Sequence, residues 1–351
     1  MSLQIFKYKP GLELESGKKL HELEIGYHTY GKLNANRDNV VWVCHALTAN
    51  SDVFDWWKGL FGENDHFNPN EHFIVCANIL GSAYGTTSPL SENPVTGLPY
   101  YLAFPQISVR DMVKAHQLLA DHLKTDDIKI IIGGSLGGQQ ALEWSITEPN
   151  RIKNLILIAT NARHSPWGIA FNESQRLAIA TDRSFYANKP DGGAKGLKTA
   201  RSIALLSYRA YKAYGVTQQE DSDKIIDNFK ASSYQNYQGD KLVKRFNAYS
   251  YWYLTKTMDS HNVGRGRHGV EKALSLIKAK TLVIGIKSDV LFPIEEQQYL
   301  FRHIPKAALA ELDSFYGHDG FLIETELLTN VITSFFKTDV KGKIIELQQS
   351  A

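Results

Sequence analysis

Ile128-Lys129-Ile130-Ile131-Ile132-Gly133-Gly134-Ser135-Leu136-Gly137-Gly138 reads as a buried strand, a serine between glycines, and the start of a helix. The isoleucines are β-branched and suit a strand covered on both faces. Gly133 and Gly137 carry no Cβ where a sharp strand-to-helix turn crowds its neighbours. The Ser135 hydroxyl can therefore project from the sheet edge. A helix from Leu136 to about Thr147 would aim its first amides at an oxyanion forming there. This is the layout of a nucleophile elbow. The pattern G-x-S-x-G is short, however, and a glycine-rich phosphate-binding turn has the same letters. The residues around it must decide.

Other short apolar runs surround this one: Val40–Cys44, Phe73–Ala77, Leu155–Ala159 and Thr281–Ile286. Each has the length and near-continuous apolarity of a strand in a parallel sheet. Alternation at Leu23, Ile25, Tyr27 and Thr29 predicts an antiparallel or edge strand before them. Val109–Leu123 shows helical spacing. The alternation of strands and helices predicts a doubly wound, mostly parallel α/β sheet. The rhythm breaks between Arg163 and Gly269, where no buried strand is found. Helical runs are expected there at Ser174–Ala180, Leu197–Tyr211 and Asp223–Ser232. The many aromatics of that stretch need burial, which favours a packed insertion over a linker. The division is a core of 1–162 with 270–351 and a helical lid of 163–269, and residues 341–351 are expected to fray.

A serine nucleophile needs a base, and the base needs an orienting carboxylate. In a fold of this kind the chain order is Ser, acid, His. Asp289 follows the strand Thr281–Ile286, at the sheet end where sites gather in open α/β folds. A turn aspartate would look the same. Beyond a further strand, Ala307–Leu312, His318 lies in the glycine-flanked loop Tyr316-Gly317-His318-Asp319-Gly320. Of twelve histidines, it alone combines the right order with a strand-end position. An oxyanion hole needs two backbone donors. The amide of Leu136 is one, and the amide of Leu47, after the strand Val40–Cys44, is the other. His45 lies in that same loop. Chain order favours His318 as the base, and sequence by itself does not remove His45.

Composition narrows the function classes. Lys and Arg total 39 against 37 Asp and Glu, a net charge near +2, which gives no electrostatic case for nucleic acid or an anionic membrane. Cys44 and Cys76 sit inside strand-like runs and read as small buried hydrophobes. No metal-ligand cluster or dinucleotide fingerprint is present, so no tightly bound cofactor is expected. The first residues lack a signal-peptide core and no stretch has the length of a membrane span, which makes a cytoplasmic protein the economical expectation.

Several motifs together resemble the homoserine O-acetyltransferases, a family of the α/β-hydrolase superfamily. They are Cys44-His45-Ala46-Leu47-Thr48, Cys76–Gly81, Gly133–Trp144, Gly196-Leu197 with Ala200-Arg201, Tyr237-Gln238-Gly239 through Arg245-Phe246, Gly264-Arg265-Gly266, Ser288-Asp289 and Gly317-His318-Asp319. The resemblance spans nearly the whole chain. It implies an α/β-hydrolase fold with a helical lid. It further implies transfer of an acetyl group from acetyl-CoA, as co-substrate, to the hydroxyl of L-homoserine through an acyl-serine, on the way to methionine. A homodimer built through the lid is implied as well. By the same resemblance Arg201 binds the substrate carboxylate, Tyr208 is its companion seven residues on, and Asp319 meets the substrate ammonium. Without it, Arg201 would read as a solvated helix residue and Asp319 as a loop residue.

Some positions depart from the family pattern. Leu136 and Gln139 stand where methionines are common, which is expected to alter the pocket wall. Asn247 and Asn262 replace aspartates, Ala49-Asn50 replaces a glycine, and Asp182–Gly196 is unlike the usual segment. Succinyl transfer to homoserine, acetyl transfer to serine, and an esterase using the same triad remain the alternatives. A catalytically dead interaction protein is disfavoured by an intact Ser135, Asp289 and His318.

Overall fold

A computed structural model describes residues 2–337. The expectation for residues 341–351 lies outside them. The central sheet has eight strands: β1 (Gln4–Tyr8), β2 (Leu23–Tyr30), β3 (Val40–Cys44), β4 (Phe73–Ala77), β5 (Ile128–Gly134), β6 (Ile152–Ile158), β7 (Lys280–Ile286) and β8 (Ala307–Leu312). Their spatial order is β1-β2-β4-β3-β5-β6-β7-β8. The first two strands are antiparallel to their neighbours, and all pairs from β4 onward are parallel. β2 is thus antiparallel as expected, but the edge belongs to β1. That strand escapes a sequence reading because its side chains alternate between exposed and half-buried, with no buried stripe.

The continuous apolar runs have a direct cause. Val40, Trp42 and Cys44 point into one core, while Val41 and Val43 point into another on the opposite face. Ile131 and its neighbours Ile130 and Ile132 divide the same way. Helices cover both faces, so neither side of a central strand can be polar. One face carries α1 (Val109–His122) and α2 (Leu136–Thr147). The side chain of Ser108 accepts from the Asp111 N–H, and Asp111 accepts from Ser108 N–H in return, which fixes the start of α1. Both cysteines are free and buried. Among the described residues no helix is long and apolar enough to cross a membrane.

Between β6 and β7 the chain inserts α3 (Pro166–Thr181), α4 (Ala194–Tyr208), a short helix Tyr211–Thr217, α5 (Lys230–Val243) and α6 (Ala248–Asp259). The helix expected over Asp223–Ser232 does not form. Asn228 takes a left-handed φ of 56°, and the Glu220 carboxylate takes the Lys230 N–H at 2.5 Å, so α5 begins only there. Sequence reading also missed α6, whose Tyr249, Tyr251 and Leu254 are fully buried. The atypical segment before α4 is organised by Asp182. Its carboxylate accepts from Ser184, Lys195 and Gly196 N–H groups at 3.0–3.2 Å and anchors the first turn of α4. The insertion leaves and returns through adjacent main chain. Arg163 bridges Asn262, His164 N–H donates to the His261 carbonyl at 3.0 Å, and Val263 N–H donates to that of Ala162 at 3.0 Å.

Candidate active site

Ser135 sits between the end of β5 and the start of α2 with φ 57° and ψ −126°. A non-glycine residue at positive φ is strained, and the neighbours show what holds it. Its N–H donates to the Ile158 carbonyl at 3.0 Å. Its carbonyl accepts from the Thr160 hydroxyl at 2.8 Å. A Cβ on Gly133 would collide with the Gly137 carbonyl, and one on Gly137 with the Cys44 carbonyl. The two glycines are thus required by close backbone approach, as the sequence suggests.

Asp289 lies in the turn after β7. Its Oδ1 accepts from the Leu291 and Phe292 N–H groups at 2.8 and 2.9 Å, and its Oδ2 lies 2.6 Å from His318 Nδ1. Both residues are buried. Burial alone would lower the His318 pKa. The Asp289 charge and hydrogen bond outweigh it, so the pKa is raised. The imidazole stacks on Phe292, with ring centroids 5.2 Å apart, and Phe321 meets it edge-on at 5.3 Å. Sequence reading gave no role to Ser288. Its hydroxyl donates to the Ser314 carbonyl at 2.6 Å and accepts from Gly317 N–H at 3.2 Å. It therefore ties the Asp289 turn to the His318 loop. No hydrogen bond joins His318 to Ser135, although both line one cavity. Contacts of this kind commonly tighten only with substrate in place.

His45 is unsuited to proton transfer. The Ile79 N–H donates to its Nε2 at 3.0 Å, so the ring hydrogen is on Nδ1, which donates to the Ala46 carbonyl at 2.8 Å. Burial lowers its pKa to about 4. The Ala46 carbonyl also accepts from Ala49 N–H at 3.1 Å. That carbonyl belongs to the same peptide unit as the Leu47 N–H, so the ring fixes the plane carrying this amide. The Leu47 N–H has no hydrogen-bond partner among the described residues. Leu136 N–H opens α2, where amides have no intrahelical acceptor.

The cavity over Ser135 measures about 480 Å³. The core supplies Leu47, Asn50, Ser135, His318 and Asp319, and the insertion supplies Arg201, Tyr208, Arg209, Gln238, Lys241 and Arg245. Arg201 and Tyr208 lie on α4, with the guanidinium carbon 5.3 Å from the ring centroid. Tyr208 also packs on His318, centroids 5.8 Å apart. Arg245 donates to the Thr48 carbonyl and the Tyr84 hydroxyl, joining the insertion to the Leu47 loop. Asp319 is the residue whose surroundings sequence did not foresee. Its Oδ2 lies 3.0 Å from Arg209 Nε. Burial raises its pKa, and Arg209 opposes the rise.

Two departures from the family pattern keep their side chains out of the cavity. Leu136 and Gln139 are fully buried and do not line it. Gln139 instead donates to Asn161 Oδ1 at 2.9 Å. Neither side chain lines the cavity, so the expected change in the pocket wall does not occur. Asn247 caps α6 by accepting from Ser250 N–H at 2.8 Å, and Asn262 accepts from Gly264 N–H at 2.9 Å.

Known proteins resemble this chain along nearly its whole length. Residues 39–325 match the sequence profile of the alpha/beta hydrolase fold. A homoserine O-acetyltransferase from Cyclobacterium marinum is 50% identical over 96% of this chain and 95% of its own. The chain belongs to the homoserine O-acetyltransferase family. The crystal structure of a homoserine O-acetyltransferase from Bacillus anthracis superposes with a TM-score of 0.88 at 25% identity, covering 97% of this chain and 98% of that one. The fold extends beyond the family's transferases. Esterase E22 superposes with a TM-score of 0.86 at 21% identity, covering 95% and 99%. The homoserine O-acetyltransferase assignment therefore rests on sequence and not on the fold.

Proposed function

We infer that this chain transfers an acetyl group from acetyl-CoA to the hydroxyl of L-homoserine, through an acyl-Ser135 intermediate, for methionine synthesis. The observation that carries the reading is one cavity lined by Ser135, by His318 with Asp289 bonded behind it, and by opposite charges at Arg201 and Asp319. An esterase has no use for the last two. In the first half-reaction His318 Nε2 takes the Ser135 proton as Oγ attacks the thioester carbonyl. The Leu47 and Leu136 amides receive the negative charge. Collapse expels the thiol, protonated by His318. In the second half, His318 takes the proton of the homoserine hydroxyl, which attacks the acyl-serine. The second tetrahedral intermediate collapses and the proton returns to Ser135. Asp289 holds the imidazole with its hydrogen on Nδ1 and stabilises the imidazolium. Arg201, with Tyr208 beside it, takes the acceptor carboxylate. Asp319 takes the ammonium.

The same reading makes residues 163–269 a lid that keeps water from the acyl-serine. It makes the enzyme cytoplasmic and a homodimer joined through that lid. The test is acetyl-CoA alone with purified protein, quenched rapidly and weighed intact. One acetyl group on Ser135, absent from Ser135→Ala, is expected, with turnover rising steeply on addition of homoserine. Equal thiol release with and without homoserine, giving free acetate, would mean an esterase. Succinyl-CoA and serine, run in parallel, decide the remaining alternatives.

A further inference from the structure

Arg209 lines the Ser135 cavity, and none of the steps above uses it. It follows α4 as an extended residue, φ −111° and ψ 142°, so its side chain leaves the helix direction. Its Nε lies 3.0 Å from Asp319 Oδ2, with side chains 25% and 14% exposed. The contact is ionic, since the Nε–H is not aligned for a hydrogen bond. The terminal Nη groups make no hydrogen bond among the described residues.

The backbone brings the two residues together. Gly317 has φ 67°, and a Cβ there would press on the main chain of Tyr208, Arg209 and Ala210. The turn bearing His318 and Asp319 thus packs backbone to backbone against the end of α4. The main chain at Arg209 and at Asp319 is therefore held at a fixed separation.

Charge arithmetic then asks for a second role. An α-amino acid brings one ammonium and one carboxylate. With the ammonium on Asp319 and the carboxylate on Arg201, Arg209 would remain as an unmatched cation beside the ammonium. Two like charges a few ångströms apart in a half-buried site repel by kilocalories. The planar guanidinium offers a way out. One edge can stay on Asp319 while the other takes a second anion, a geometry that a lysine ammonium lacks.

We propose that Arg209 bridges Asp319 and the carboxylate of the bound acceptor, and so selects a free α-amino acid over one whose carboxylate is neutralised. The inference rests on the proposed roles of Arg201 and Asp319. It adds a residue in which the subsites for the two ends of the acceptor meet. It also assigns Arg209 a second effect. Burial pushes the Asp319 carboxyl up, and Arg209 is the main charge holding it down. Arg201 and His318 act in the same sense and Asp289 in the opposite one. Loss of Arg209 should therefore weaken acceptor binding most at the acid end of the pH range.

The experiment compares L-homoserine with L-homoserine amide as acceptors for wild type, R209Q, R209K and D319N, and measures acyl-enzyme formation from acetyl-CoA alone. In R209Q, acylation should stay within about twofold of wild type. Its kcat/KM for homoserine should fall at least about tenfold, the loss of one charge-assisted contact. The amide should be little affected, so discrimination between the acceptors shrinks. R209K should lose discrimination too, because it keeps the charge and not the fork. Equal losses on homoserine and its amide, or an equal loss in acylation, would show that Arg209 only supports the fold, and the proposal falls. If R209Q does not fold, R209K carries the test, and unchanged discrimination there overturns the idea. The underlying reading fails separately, if wild type does not accept homoserine or if D319N accepts it normally.

Discussion

Two loops at the same end of the sheet each carry a buried histidine, and of the two only His318 lines the Ser135 cavity. After β8, His318 has one nitrogen on Asp289 and the other without a hydrogen bond, and the carboxylate raises its pKa. After β3, His45 has both nitrogens committed to main chain and its pKa lowered to about 4. The side chain is the same and the burial similar. A neighbouring charge prepares one ring to gain and lose a proton. Neutral backbone partners turn the other into a fixed hydrogen-bonding strut for the Leu47 amide. The partners of a histidine, rather than its depth, decide whether it is chemistry or scaffold.

The largest effect should come from exchanging those roles for alanine. His318→Ala should lower kcat by at least about 10³-fold with folding intact. His45→Ala should cost about 10²-fold, because it loosens one oxyanion donor without removing it. The loss should fall on both half-reactions, since each passes through a tetrahedral oxyanion. Rapid-quench kinetics of each half separates the cases, and equal losses in the two mutants would break the contrast.

Next comes the acceptor. Arg201→Ala should raise the homoserine KM by about 10–150-fold while acetylation of Ser135 by acetyl-CoA proceeds. Damage to both halves alike would make Arg201 part of the fold or the donor site. The pH profile sharpens the contrast further. The reaction needs neutral His318, so donor kcat/KM should rise with pH through a pKa above the ordinary histidine value. Asp289→Asn removes the raising charge and should move that limb to lower pH, on a much reduced rate. A limb unmoved by this change would belong to another group. His45 should contribute no limb near neutrality.

The smallest effect tests the pin between the two triad loops. Ser288→Ala leaves the Ser314 carbonyl and Gly317 N–H without their shared partner. A loss of about 1 kcal/mol in stability, or roughly 2 °C in Tm, is expected by calorimetry, with a modest fall in kcat. No change in either would mean that the aromatic packing around His318 holds the loop unaided.

The central strands and the elbow were legible because they obey local rules. Residues buried on both faces give unbroken apolar runs, and a strained turn demands glycines at fixed offsets. Asp289 and His318 were found through chain order and strand ends, which the sheet topology turns into proximity. What escaped depends on partners distant in sequence. The Asp319–Arg209 pair joins positions 110 residues apart, and nothing near either residue announces the other. His45 could be placed in the right loop, but its tautomer is set by Ile79 on a different strand connection. In the insertion, Tyr249 and Tyr251 of α6 are buried against neighbouring helices, and their spacing reads poorly as one apolar face. Asn228 broke the expected helix by a backbone choice that composition does not reveal.

The paired main chain at the base of the insertion has an evolutionary consequence. Because Arg163 and Asn262 bridge one another, the chain enters and leaves the helical cassette at a single two-stranded rung. A segment whose ends are already adjacent can be exchanged at little cost in loop closure, as long as the replacement starts and ends at the same rung. Arg201, Tyr208 and Arg209 travel with the cassette, whereas Ser135, Asp289 and His318 stay behind. On the proposed roles, a lineage can change the lid side of its acceptor site without reinventing its nucleophile.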